Sequence, residues 1–410
     1  MSILLINRDK GIKLSEILSE VKHELVVLSM YDLPDSDEFK YFEVIPNLRD
    51  LTYYLELKAI ELHQEYYFKK VIAEDEFDLI RAARLREYFN IEGQTVESAV
   101  AFRDKVKMKD YLKGKVDLPE YQALTSASVL HDFVRNYGFP IVVKPRDKAG
   151  AQGVNIINNQ EELYNFSKTK WDYDLQIETF ISGDMYHVDA VVEEGNITML
   201  SVSKYINSCL SFFSKNNILG SYQIHPEAEM YKRLEDYFKK VLSFLPTPRV
   251  CAYHMEVFHT QEDKIILCEI ASRIGGGYIL DTFKQAYSVD VLSYLYRRWC
   301  DLPVDKPSPK NTNKLFGFLL IPPQDGVLLS IPEEIKYDWV LKYDKNGEVG
   351  KRYNNPSYFT DKIAGIMIEG HSSQDVLDKL FYIENWYNNE VKWDLSLDKE
   401  PEKVLNNVSS

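Results

Sequence analysis

Cysteine is scarce and unpatterned. Cys209, Cys251, Cys268 and Cys300 are the only four in 410 residues, and none belongs to a CxxC pair. Cys251 and Cys268 fall in apolar strand contexts, where buried thiols are the default, so a reducing cytosol is the expected compartment. Long apolar runs are absent as well: nothing approaches the ~20 residues that span a bilayer. The opening segment MSILLINRDK lacks a basic start, an apolar core and a small-residue cleavage site. It reads as a first core strand, and a cytoplasmic location is expected. Positive charge is in deficit, with a net charge of −14. That argues against nucleic acid as the main partner, which needs a basic footprint. No GxGxxG follows the first apolar run, which excludes a dinucleotide fingerprint, and no GxxxxGK[ST] is present, which excludes a Walker A loop. No internal repeat or low-complexity block stands out.

What remains is ordinary globular composition, 45% hydrophobic and 27% charged. A chain of 410 residues is too long for one core, so two or three domains are expected. Residues 1–95 alternate short apolar strands (3–6, 25–28, 42–45 and 71–73) with helical segments at 13–22, 51–70 and 76–88. This is the signature of a small α/β domain with a parallel sheet. A single helix is expected over 95–113. From about 96 to 300 the chain reads as α+β. From 301 the segment DLPVDKPSPKNTNK reads as a linker. Strands near 315–321, 327–331, 339–343 and 359–369 follow, then a helix over 372–390 with a serine cap.

The stretch from Cys251 to Gly277 organises the rest. Residues 253–258 and 264–270 are strand-like, joined by a polar Thr-Gln-Glu-Asp tip. A turn centred between Glu262 and Asp263 places Glu256 directly opposite Glu269. Directly opposed side chains have Cβ atoms roughly 5 Å apart, and like charges there are destabilising unless they share a proton or a cation. A hard divalent cation such as Mg²⁺ suits those oxygens. Arg273 shares the strand parity of Glu269, and Gly275, Gly276 and Gly277 let backbone approach a ligand closely. Read alone, the segment is more simply an ordinary amphipathic hairpin with two solvated glutamates.

Upstream, FPIVVK ends at Lys144, and the loop DKAGAQG follows, with Gly150 and Gly153. Its backbone amides suit phosphate oxygens, as a nest does. LQIETFI carries Glu178, Phe180 and Ile181 at a strand end suited to a purine edge, and His187 begins the returning strand. Lys105 lies in the helical segment RDKVKMKDYL, among lysines that pattern alone does not separate.

In this order the pieces resemble the ATP-grasp superfamily, in particular carboxylate–amine ligases related to biotin carboxylase and carbamoyl-phosphate synthetase. Lys105 and Lys144 look like the family's two ATP lysines, and residues 149–153 like its glycine-rich loop. The segment from Glu178 to Gly183 looks like the adenine hinge, with His187 on the strand after it. Glu256 and Glu269 look like the paired metal carboxylates, and Arg273 like the phosphate-binding arginine. The resemblance implies three parts: an N-terminal α/β domain (1–95), an ATP-grasp region (96–300, small lobe about 115–180) and a C-terminal α+β lobe (301–410). It implies ATP and Mg²⁺, with Mn²⁺ as an alternative ion, and an acyl-phosphate mechanism.

The chain departs from the family at two places. Ala271 stands where the family usually has asparagine, and Gly277 where biotin carboxylase has a glutamate, which argues against carboxylation. The segment EIASRIGGG is closer to dipeptide-forming L-amino-acid ligases, which also carry a histidine three residues after the first metal glutamate, as His259 does here. Strict alternation puts His259 on the face opposite Glu256, so a catalytic role needs a bend; a solvated turn residue is the alternative. The resemblance implies amino-acid substrates, with Phe212, Phe213 and Tyr222 as candidate pocket aromatics or, the commoner use of such residues, as core packing. It leaves open a homodimer, a carrier-bound acceptor and a non-catalytic ATP-binding homologue.

Overall fold

The structure, a computed structural model, describes residues 2–48, 53–207, 212, 217–308, 313–356 and 361–395. Two compact units make up the chain: Met1–Tyr205 with Gln223–Leu315, and Ile206–Tyr222 with Phe316–Ser410.

The first unit begins with β1 (Ser2–Asn7), α1 (Leu14–Ile17), β2 (Leu25–Ser29), β3 (Tyr41–Val44), α2 (Tyr54–Tyr66) and β4 (Phe68–Ala73). The strands form a parallel sheet in the order β3-β2-β1-β4. Leu4, Ile6, Val26 and Leu28 pack one face against α2, while Ile3, Leu5, Leu25 and Val27 pack the other against Leu14, Leu18 and Tyr296. Both faces are covered, so these strands read as continuous apolar runs rather than alternating ones.

Three helical expectations change. The segment expected to be helical over 13–22 is α-helical only over Leu14–Ile17, with a short 3-10 turn at Lys22–Glu24. The helix expected over 51–70 stops at Tyr66, where Tyr67 turns left-handed (φ 50°) and releases the chain into β4. The helix expected over 95–113 is two. After α3 (Leu79–Phe89) come α4 (Val96–Arg103) and α5 (Lys105–Leu112), broken at Asp104. Asp104 is extended (φ −90°, ψ 107°), and its carboxylate accepts from the Val106 and Lys107 amides. An aspartate that caps a helix competes with continuing one.

A second sheet follows, built from β5 (Tyr121–Leu124), β6 (Ile141–Pro145), β7 (Asn155–Ile157) and β8 (Leu175–Thr179), in the order β5-β8-β6-β7. Helices α6 (Ala127–Tyr137) and α7 (Gln160–Ser167) lie between its strands in sequence. Ile141, Val143, Leu175 and Ile177 face the core with Leu130, Phe133 and Leu163. The alternate positions Lys144, Gln176 and Glu178 therefore share the other face.

The third group holds β9 (Asp184–Glu193) and β10 (Asn196–Tyr205). Past β11 (Leu219–Gln223), at the edge of the second unit, come α8 (Glu229–Leu242), β12 (Val250–His259), β13 (Ile265–Ala271), α9 (Ile279–Tyr287) and α10 (Val291–Trp299). Within the first unit the antiparallel order is β13-β12-β9-β10. Val188, Ala190, Tyr253, Met255, Val257, Leu267 and Ile270 bury one face against Phe102, Met108, Leu234 and Phe238. That burial fixes which side chains face the other way.

The second unit contains β14 (Leu315–Ile321), β15 (Gly326–Ser330), β16 (Val340–Lys345), β17 (Arg352–Tyr353), β18 (Ala364–Gly370), α11 (Ser373–Glu390) and β19 (Lys392–Asp394). Its strands pair in the orders β11-β14-β18-β16 and β17-β15-β19. Ser372 caps α11 by accepting from the Asp375 amide. Among the described residues, no helix is long and apolar enough to cross a membrane.

Candidate active site

The hairpin β12–β13 pairs Glu256 with Glu269. A bulge produces this register. Near the turn the pairs are His259–Ile265, Phe258–Ile266 and Val257–Leu267, a register that without the bulge would put Cys268 opposite Glu256. The shift between Glu256 and Val257 leaves Cys268 as the extra residue. Leu267 and Ile270 both enter the core, although they are three residues apart. The two residues between them, Cys268 and Glu269, are left for the opposite face. A bulge of this kind re-aims side chains beside a site.

The face opposite the core is polar. β9 sets His187 beside Glu256 and Asp189 beside His254. Asp189 Oδ2 lies 2.5 Å from His187 Nδ1 and Oδ1 lies 2.7 Å from His254 Nδ1. His254 Nε2 is 3.4 Å from Glu256 Oε1, and the Tyr205 hydroxyl donates to the same oxygen at 2.9 Å. Burial raises the carboxyl pKa of Glu256, but His254 outweighs it and holds the group at about 2. Burial likewise lowers His254, and Asp189 carries it back up to about 10.

Three lysines meet this face from other elements. Lys105 opens α5, and its Nζ lies 3.0 Å from Glu269 Oε2 and donates to the Lys148 carbonyl at 2.7 Å. Lys144, on β6, is 2.6 Å from Glu178 Oε1, with Cys268 Sγ at 4.0 Å. Lys109, also on α5, is fully buried and 3.2 Å from Glu178 Oε2. Glu178 is thus clamped between two buried ammonium groups, which outweigh burial and keep its carboxyl low. Pattern alone had not separated Lys109 from the other lysines of α5. Its position one helical turn after Lys105 is the only signal the sequence carried.

Arg273 lies just past the end of β13, so strand parity does not aim it. Its Nε donates to Glu76 Oε2 at 2.6 Å and its Nη1 to the Ile274 carbonyl at 2.7 Å. Glu76 also accepts from Arg103, whose other arm reaches the Asp147 carbonyl. Burial pushes the Glu76 carboxyl up, but Arg273 and Arg103 hold it at about 2. Glu76 arrives from the loop after β4, 197 residues before Arg273.

The glycines divide by role. At Gly275 a Cβ would come 2.6 Å from His254 Nδ1 and 2.7 Å from Asp189 Oδ1, so only glycine packs there. Gly276 has open space, and Gly277 is left-handed (φ 70°). Gly150 and Gly153 are left-handed in the loop after β6 (φ 62° and 69°). Phe180 and Ile181 lie between β8 and β9, with Phe180 39% exposed. His259 is not brought to the carboxylates. Alternation leaves it off the Glu256 face, and its Nε2 is 2.6 Å from Asp263 Oδ1 in the turn. Phe212 and Tyr222 are buried; Phe213 and Cys209 lie outside the described residues.

The ATP-grasp domain family matches residues 137–281, from α6 through β13 into α9. The chain carries an ATP-grasp domain. The chain is 26% identical over 307 residues to an L-arginine-specific L-amino acid ligase of Bacillus subtilis, covering 71% of this chain and 73% of that protein. A D-alanine–D-alanine ligase of Pseudothermotoga lettingae is 26% identical over 180 residues, covering 43% of this chain and 52% of its own. Among solved structures, an L-amino acid ligase from Bacillus licheniformis superposes with a TM-score of 0.70 at 18% identity, covering 96% of this chain and 98% of its own. A carboxyaminoimidazole ribonucleotide synthase from Aspergillus clavatus complexed with ATP gives 0.68 at 15% identity, covering 94% and 98%. The fold is therefore that of ATP-grasp ligases, and the polar face described above lies largely inside the matched domain.

Proposed function

We propose that the chain is an ATP-dependent carboxylate–amine ligase that forms an amide between an amino-acid carboxylate and an amine. The observation that carries this reading is the bulged pairing of Glu256 with Glu269, with Lys105, Lys144 and Arg273 converging beside it. Two opposed carboxylates, one held at about 2, form a hard-oxygen donor pair fit for Mg²⁺, with Mn²⁺ as a substitute. The ion would supply charge neutralisation at the phosphates.

The chain's own groups account for the rest. Lys105, Lys144 and the amides around Gly150 and Gly153 hold phosphate oxygens, while Glu178, Phe180 and Ile181 flank the adenine and His187 braces the strand beyond. A substrate carboxylate oxygen attacks the γ-phosphorus and ADP leaves. An amine then attacks the acyl carbon and phosphate leaves, with loss of one proton from the amine. Arg273, braced by Glu76, neutralises charge on the transferred phosphoryl group. Phosphoryl transfer asks mainly for such positioning and electrostatics. Gly276, with open space beside it, leaves room on the acceptor side, and none of Gly275, Gly276 and Gly277 places a carboxylate there, which favours an amine over bicarbonate. His259 takes no part, because Asp263 engages it.

The three-part division at about 95 and 300 and a cytoplasmic setting belong to this reading. The latter is supported by the unpaired Cys251, Cys268 and Cys300. A homodimer is checked by light scattering.

A scan of amino acids for ATP-dependent phosphate release, with products weighed by mass spectrometry, tests the function. Release with an amide product is expected. Bicarbonate-dependent turnover with no amino-acid response would overturn it, and a requirement for a carrier protein would move the acceptor from free to tethered. Glu269→Gln should lower turnover by on the order of 10²-fold or more while the fold persists; an unaffected rate removes the metal assignment.

A further inference from the structure

We infer that His254, held by Asp189, is a positioning residue that aims the Glu256 carboxylate at the cation; this rests on the ligase reading above. Four observations on three neighbouring strands and the loop after them converge. Asp189 Oδ1 is 2.7 Å from His254 Nδ1, so the carboxylate fixes the ring orientation. The other ring nitrogen then projects along the strand to Glu256 Oε1 at 3.4 Å. The residue paired across from His254 is Ala271, whose methyl offers no polar group to that side. The fourth is Gly275, whose missing side chain admits the pair: any Cβ there would strike both His254 Nδ1 and Asp189 Oδ1.

The arrangement is that of a carboxylate orienting a histidine which orients a metal-binding oxygen. Asp189 and His254 are almost wholly buried, at 1% and 7% exposure, so water does not compete for these contacts. His187 Nδ1, 2.5 Å from Asp189 Oδ2, engages the second carboxylate oxygen and stops Asp189 rotating. The three groups have ligand atoms within 4.8 Å of one another. With Asp189 already in hydrogen-bond contact with both rings, the trio is better suited to bracing Glu256 than to binding an ion of its own. The backbone of Gly275 lies on this pair, so the acceptor-side loop and the metal carboxylate share one support.

Partners that orient metal ligands are worth roughly 10–100-fold in metal affinity. The test is Mn²⁺ binding to the ADP-loaded full chain, read by electron paramagnetic resonance of free Mn²⁺ and so independent of turnover. His254→Ala and Asp189→Asn should each weaken Mn²⁺ by about tenfold. His254→Gln, which keeps a donor at similar reach, should recover most of that loss. Glu269→Gln serves as the reference. If Glu269→Gln weakens Mn²⁺ while His254→Ala and Asp189→Asn bind like the parent, the positioning role is overturned and the ligase reading survives. If Glu269→Gln also binds like the parent, the metal reading itself falls, and the positioning role with it. Should His254→Ala fail to fold, the near-isosteric Asp189→Asn decides: parental affinity overturns the inference, and about tenfold weakening supports it.

Discussion

Glu76 is the residue on which the structure makes its most quantitative demand. It is 8% exposed, and it joins Arg273 at the end of the hairpin to Arg103 at the end of α4. Its carboxyl is lowered from 4.5 to about 2, with burial opposing and the two guanidiniums prevailing. A difference of that size corresponds to about 3 kcal/mol favouring the ionised, folded form. Because the folded value is the lower one, the stabilisation is present above about 4.5 and is lost as pH falls towards 2. Glu76→Gln never has it. The variant should therefore be less stable than the parent by about 3 kcal/mol at neutral pH, with the gap narrowing to roughly 2 kcal/mol near pH 3.5. Hydrogen exchange of peptides from α3 to α5 across a urea series reads this unit separately from the second one. A gap under about 1 kcal/mol at neutral pH, or one that does not change with pH, would refute the reasoning. The same variant frees Arg273 from its brace, so ATP turnover should fall as well.

Three more outcomes follow from particular contacts. Gly275→Ala drives a methyl into His254, Asp189 and Ile279, and should lose about 1–3 kcal/mol in chemical denaturation, whereas Gly276→Ala, with nothing nearby, should be close to neutral for stability. Asp104→Ala removes the cap of α5 and the partner of Arg146, costing about 1 kcal/mol, and should raise the ATP concentration needed for half-maximal rate because Lys105 is the next residue. His259→Ala should leave turnover within about twofold of the parent, since the ring meets Asp263 in the turn and the edge of Tyr186 on β9; a larger loss in a steady-state assay would bring the histidine back to the site.

Much of the local architecture was legible in the chain. Continuous apolar runs announced the parallel sheet at β1, β2 and β4, and the serine pair Ser372–Ser373 announced the start of α11, with the structure choosing Ser372 as the cap. Lys105, Lys144, Glu178, Glu256, Glu269 and Arg273 stood in an order that pointed to one site. The facing of Glu256 and Glu269 came from counting a turn between Glu262 and Asp263, yet the near-turn register is one residue off that count. The two glutamates meet because Cys268 bulges, and the bulge exists because Leu267 and Ile270 both seek the core.

What residue order determined, then, was the set of elements and the charged groups they carry, because periodicity and capping are local. What only the tertiary structure decided was which charges pair. Glu76 reaches Arg273 across 197 positions, Lys109 on α5 reaches Glu178 on β8, and Asp189 takes His254 from a neighbouring strand. Those pairings follow from strand order and from which face is buried. Both are set by long-range packing, so the carboxylate pair is recognisable in the hairpin alone while the groups that hold it are not.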